Sequence, residues 1–283
     1  AEIEPARWPA APSIPRLRLV FVRMDPDSGG AGLVRTAWYD PDMAKTTSHS
    51  RIALRQWVSD ARRDGASLRE AVETYLETAD WAHAPVTPDA PPAHDTGDIL
   101  GATPPSRFAE IFWLLEQWRL AIETPPVRQG AGGPPRLALD DLKRVQDMDG
   151  RRALRANENK LIAKFPPGHP ERWVLPATAT LLARVFPRRR FRPTNLVWYP
   201  AGGWMGWHTN ADQPGWRLYI NWSVPLGGRS AFLGLVEGKI VRRNDPGGWS
   251  ANCFKISADR PFWHAVDAAT PRLSVGFQAL EVF

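Results

Sequence analysis

The final third of the chain breaks into short apolar runs at a quick cadence. Residues 194–199, 204–208, 217–224, 231–236, 239–243, 252–256, 262–264 and 273–283 read as strands. Gly202-Gly203, Pro214-Gly215 and Asp245-Pro246-Gly247-Gly248 separate many of them. Those residues reverse a chain cheaply, because Gly accepts positive φ and Pro arrives with φ already fixed. About eight short strands of this kind fit two facing sheets.

The chemistry concentrates in 198–217, WYPAGGWMGWHTNADQPGWR. A short strand runs over a glycine turn to a second one that ends at His208. Alternation along that strand points Trp207 and His208 to opposite faces. Asn210 and Asp212 follow two and four residues later. A histidine with oxygen donors at that spacing can hold a metal and leave coordination positions open. A second imidazole, His264, lies in PFWHAV, and Arg272-Leu273-Ser274 begins eight residues beyond it. Arg272 opens an apolar strand, where a buried guanidinium needs an anion that matches its fork. Ser274 lies two residues on, on the same strand face. No GxGxxG, P-loop or CxxC is present. No serine has a nucleophile-elbow context, so covalent catalysis is not favoured.

This ordered set resembles the iron(II)/2-oxoglutarate-dependent oxygenases, whose pattern is His-x-Asp/Glu, a long interval, a second His, then Arg or Lys with a nearby Ser or Thr. His208, His264, Arg272 and Ser274 match it. The Tyr199-to-His208 lead-in is similar to the prolyl-hydroxylase-like and alkylation-repair-dioxygenase-like branches. The match covers roughly residues 194–283. The resemblance implies Fe(II) held by His208, His264 and one oxygen donor, with 2-oxoglutarate as cosubstrate and O2 as oxidant. It gives Arg272 and Ser274 the far carboxylate of 2-oxoglutarate, with Tyr199 and Asn195 as further contacts. Asn210 stands where the family has an acid. Its carbonyl oxygen can bind iron but brings no charge, and Asp212 is the other candidate for the third donor.

Upstream, 15–24 reads as a strand and 36–39 as a short second one. Apolar residues at helical spacing predict a helix over 51–63. Ser67 and Glu70 form a capping-box pattern that starts another, with Leu68, Val72, Tyr75 and Leu76 on one face. Residues 84–106, rich in Pro, Asp and Thr, read as a long loop. A strong helical stripe spans 108–122. Gly130–Pro135 reads as a flexible connector. Residues 139–148, 151–165 and 177–186 read as three more helices. PRRRFRP, 187–193, is the densest basic cluster, either a phosphate-binding patch or a solvated connector.

The expected architecture is α+β, a C-terminal double-stranded β-helix (jelly roll) buttressed by N-terminal helices. Residues 1–165 form the mainly helical region with a first strand. Residues 166–283 form the oxygenase domain, with its core at 194–283. Cys253 is the only cysteine, so an internal disulfide is excluded, which fits a reducing, cytoplasmic setting. There is no apolar run of membrane-spanning length. The first residues do not read as a signal peptide. The net charge of +6 permits an acidic partner. Fourteen tryptophans are enough to fill cores or to wall a pocket. The function expected is hydroxylation of a peptide or amino-acid side chain, with a small-molecule or peptide partner. Nucleic-acid oxidation is the second choice. A non-catalytic binding module with a degenerate metal site is the third. His49, His83, His94 and His169 read as incidental, and Glu237 and Asp245 as solvated turn residues.

Overall fold

A computed structural model describes residues 17–24, 31–39, 50–78, 108–130, 134–148, 159–186, 189–224, 230–257 and 261–281. The loop expected over 84–106 and the first half of the helix expected over 151–165 lie outside these residues, as do His49, His83 and His94.

Twelve strands form one curled sheet that folds over on itself. The larger leaf runs in the order β2 (Ala31–Tyr39), β1 (Leu17–Met24), β10 (Gly248–Ile256), β7 (Gly215–Ser223), β12 (Arg272–Glu281), β5 (Arg189–Tyr199). The smaller leaf runs β6 (Gly203–His208), β11 (His264–Ala268), β8 (Ala231–Val236), β9 (Lys239–Asn244). Between the leaves lies β4 (Lys160–Lys164), which pairs with β5 on one side and β6 on the other. The short strand β3 (Val127–Gln129) pairs with β4, inside the stretch that reads as leading into a connector. All these pairings are antiparallel except β1 with β10. The result is a mixed α/β protein dominated by an antiparallel, jelly-roll-like sheet.

Helices α1 (Ser50–Arg63), α2 (Leu68–Thr78), α3 (Ala109–Leu120) and α5 (Val174–Val185) share one core with the outer face of the larger leaf. The capping box at the start of α2 forms: Ser67 N–H donates to Glu70 Oε2 at 2.9 Å and Glu70 N–H to Ser67 Oγ at 3.2 Å. The stripe on α3 is buried at Ile111, Phe112, Leu115 and Trp118. Each such side chain contributes about 1.5–3 kcal/mol by leaving water. Helix α4 (Leu139–Gln146) covers the smaller leaf, where Leu142 meets Trp207, Leu233 and Ala265. No helix among the described residues is long and apolar enough to cross a membrane.

Strand β12 shows how one sequence serves both faces. Leu273, Val275, Phe277 and Ala279 join the helix-side core. Arg272, Ser274, Gly276 and Gln278 alternate with them and so face the space between the leaves. The same period holds on β7, where Leu218, Ile220 and Trp222 face the helices and Arg217, Tyr219, Asn221 and Ser223 face inward.

Three sequence expectations are corrected. Lys160–Lys164 is a strand rather than the end of a helix, because pairing with both β5 and β6 overrides a weak local pattern. The basic cluster is not a connector: from Arg189 onward it is the first part of β5. Tryptophans of the last third do not wall the inner space. Trp198 and Trp222 stack at 6.3 Å on the helix side, and Trp207 lies beneath α4.

Candidate functional site

His208 points inward because of a β-bulge. Val266 pairs with Met205, and His264 with His208. Three steps on β6 therefore match two on β11, and one residue is supernumerary. Met205 and His208 would face opposite ways on a regular strand; the extra residue turns both inward. Gly206 makes the bulge possible. Its N–H donates to the Asn159 carbonyl at 2.7 Å, and a Cβ here would lie 2.8 Å from that same oxygen.

The two imidazoles are fixed alike. His208 Nδ1 donates to the Gly206 carbonyl at 2.8 Å, and His264 Nδ1 to the Phe262 carbonyl at 2.9 Å. A carbonyl can only accept, so each ring carries its proton on Nδ1 and leaves Nε2 unprotonated. The ring centroids are 4.2 Å apart. An ion about 2.1 Å from both Nε2 atoms, with bonds near a right angle, would put the centroids roughly 4.5 Å apart. The pair therefore fits one shared metal. Burial lowers the His208 pKa to about 4, against the opposing Gly206 bond and helped by Lys164 and Lys160. Burial lowers that of His264 well below its ordinary value, and the neighbouring His208 adds to this. Both rings are neutral at neutral pH, as metal ligands must be.

Asn210 adopts φ +57°, a left-handed conformation that Asn tolerates better than most residues. Its Nδ2 lies 3.2 Å from His264 Nε2. Turning the amide over would aim the carbonyl oxygen at the same place. Asp212 is exposed on the following turn. No cluster of three His, Cys, Asp or Glu occurs among the described residues. The donors that converge are thus two imidazoles and one neutral amide.

Behind the imidazoles lies a small cavity with about 20 Å³ open to the centre of a water-sized sphere. Met205, Phe232 and Val266 supply apolar wall, while Asn195, Tyr199, Tyr219, Arg272 and Ser274 supply polar groups. Arg272 is buried, and its Nε donates to Asp245 Oδ2 at 2.7 Å. Its guanidinium carbon lies 5.3 Å from the centre of the Tyr199 ring. Among the described residues, neither terminal nitrogen of Arg272 makes a hydrogen bond. The expectation of a solvated Asp245 is corrected: it is 5% exposed and is the anion that the guanidinium needed. Ser274 Oγ donates to Asn221 Oδ1 at 2.8 Å. The buried Asn195 Oδ1 has no partner. Burial pushes the phenols of Tyr199 and Tyr219 upward, so both stay protonated donors.

The structure thus gathers His208, His264, Asn210, Asn195, Tyr199, Arg272 and Ser274 around one space and leaves Asp212 outside. Asp245 reads in the sequence as a solvated turn residue, and Tyr219 and Gly276 went unread. A Cβ at Gly276 would lie 2.1 Å from Asn195 Oδ1 and 2.4 Å from Tyr219 Cε1. Those two side chains therefore meet over a residue that must lack one. The incidental His169 turns out to cap a helical turn, accepting from Glu171 N–H at 3.3 Å.

No family model matches the chain, and no curated protein matches it. Solved structures give weak likenesses. A prolyl-4-hydroxylase from Pseudomonas putida is 16% identical at a TM-score of 0.30, over 53% of this chain and 91% of that one. An oxidoreductase of the 2OG-Fe(II) oxygenase family from Burkholderia pseudomallei is 11% identical at 0.33, over 60% and 79%. A predicted oxalate decarboxylase from Thermotoga maritima is 14% identical at 0.21, over 44% and 81%. Likenesses this slight carry no weight, and the case for a site stands on its own residues.

Proposed function

We propose that this chain is an iron(II)- and 2-oxoglutarate-dependent oxygenase that hydroxylates a peptide or amino-acid side chain, with 166–283 as a double-stranded β-helix domain. One observation carries the reading. Two buried, neutral imidazoles, each fixed by a backbone carbonyl, line a cavity that also holds a buried guanidinium. Bound there, ferrous iron, 2-oxoglutarate and O2 would supply the oxidant for a C–H bond.

The chain's own residues bind, orient and exclude water. His208 and His264 offer lone pairs without first losing a proton. Arg272 offers its two terminal nitrogens to the far carboxylate of the keto acid, and Tyr199 can donate beside it. Ser274 can join only if Asn221 releases its proton. Asn195 can join by turning its amide. Met205, Phe232 and Val266 keep the wall dry, which strengthens each of these contacts. Asp245 works against them, since an entering carboxylate must share Arg272 with it.

A second reading, a non-catalytic module with a degenerate metal site, is favoured by two contacts. The Asn210 amide lies against His264 Nε2, and Asp245 already neutralises Arg272. No tryptophan among the described residues lines the inner cavity to give such a module a stacking cleft. Anaerobic iron titration followed by succinate measurement separates the two. The oxygenase reading expects one ferrous ion per chain and succinate even without substrate. His208→Ala and His264→Ala should abolish iron binding, and unchanged occupancy in both would remove the metal site. Asn210→Ala should weaken iron while Asp212→Ala does not; the reverse result would assign the third donor to Asp212.

A further inference from the structure

Three arginines are fully buried among the described residues: Arg119, Arg217 and Arg272. Two have a carboxylate in contact, Glu116 at 2.6 Å and Asp245 at 2.7 Å. Arg217 has none. Its Nη2 donates to the Gln213 carbonyl, and its Nη1 is buried without a partner. The exposed Asp212 acts on it only from beyond contact distance. A cation sealed from water without a carboxylate in contact is expensive, and proteins rarely keep one that nothing uses.

Its position is informative. Arg217 is the next inward-facing residue on β7 after Tyr219, which lines the cavity. On β12 it pairs with Gln278, whereas Arg272 pairs with Ser223. Six residues, about 20 Å, thus separate the two guanidinium rungs along the strand. Arg217 lies toward the end where His208, Asn210 and His264 gather, and Arg272 lies toward the other. The nearest second cation, Arg192, is exposed and hydrogen-bonded to Gln278.

We infer that Arg217 anchors a carboxylate of the substrate, which is therefore a small free acid, such as a free amino acid, rather than an internal residue of a polypeptide. The inference rests on the oxygenase reading for what happens next, though not for binding itself. One unpaired N–H edge suits one oxygen of a planar monoanion. A phosphodiester carries more bulk than one N–H edge on this side of the sheet accommodates.

The test is thermal stability of the metal-free protein with a panel of free amino acids, their carboxamides and blocked peptides. At least one acid should raise Tm and bind about tenfold or more tighter than its carboxamide, as expected when a charge-assisted hydrogen bond is lost. Arg217→Met should abolish that preference, keep the shift given by 2-oxoglutarate, and raise the Tm of the free protein by removing an uncompensated charge. Equal binding of acid and amide, no response to any free acid, or binding only of blocked peptides would overturn the inference. So would loss of the 2-oxoglutarate shift in Arg217→Met, which would give Arg217 to the cosubstrate. A drop in Tm for both Arg217→Met and Arg217→Lys would make the residue structural. Failure of the oxygenase reading shows elsewhere, as absent iron binding and absent succinate with the acid preference intact.

Discussion

Arg119 and Arg272 lie against opposite faces of the same sheet, each with a carboxylate and an aromatic ring. On the helix side, Glu116 takes Arg119 at two points, 2.9 Å and 2.6 Å, and the guanidinium lies 4.2 Å over Trp222. Glu116 also accepts from Trp249 Nε1 at 2.8 Å. Helix, sheet and ion pair close on one another. On the inner side, Asp245 takes only Nε of Arg272 and leaves the terminal nitrogens toward a cavity. The same three groups serve as a rivet on one face and as an open hand on the other. What differs is how much of the guanidinium fork is already used.

Four measurements would break or sharpen that contrast. The largest effect belongs to the closed pair. Glu116→Gln strands a buried cation and should cost about 3–5 kcal/mol in denaturant unfolding. A loss under about 1 kcal/mol would mean the pair is not the rivet described. Acid comes next and acts on the cavity side. His208 protonates near pH 4 when folded, against 6.5 for the ordinary group, so the unfolded chain binds more protons in that range. Stability is full above pH 6.5 and falls toward pH 4, by about 3 kcal/mol from His208 alone. His208→Gln should flatten that slope, and an unchanged slope would refute the burial described. Gly276→Ala forces a methyl between Asn195 and Tyr219 and should cost about 1–3 kcal/mol. It should also weaken binding of 2-oxoglutarate, read by calorimetry; unchanged binding would move the keto acid elsewhere. The smallest effect is expected of Asp245→Asn, about 1–2 kcal/mol, since the amide oxygen can still accept from Arg272 Nε and the Tyr199 ring still faces the guanidinium. Here 2-oxoglutarate should raise Tm more than in the parent chain, because the competing anion is gone. A smaller rise would show that Asp245 aims Arg272 rather than competing for it.

The contrast also explains what could be read in advance. The alternation Leu273, Val275, Phe277 announces a buried strand face, and Arg272 and Ser274 fall on the other face by period alone. Ser67 and Glu70 announce a helix start through local chemistry. His208 and His264 stand out by order and spacing. Asp245 does not, because an Asp before Pro-Gly-Gly is chemically a turn residue, and only the tertiary fold brings it to Arg272. Lys160–Lys164 carries too many charges to look like a strand until β5 and β6 flank it. Arg217 is one guanidinium among many until its burial without an anion is seen. Legibility ends where a residue's role depends on a partner distant along the chain.

The supernumerary position at Gly206 has a consequence for descent as well as for chemistry. Excising that single codon would leave β6 pairing with β11 and Trp204 in place. Beyond the excision the phase of the strand would be kept, because Met205 and the imidazole would then stand two steps apart on a regular strand and share its inner face. A lineage could thus discard the extra residue and keep every ligand in place, whereas pairing the strand regularly at its full length would turn the imidazole to the indole's side.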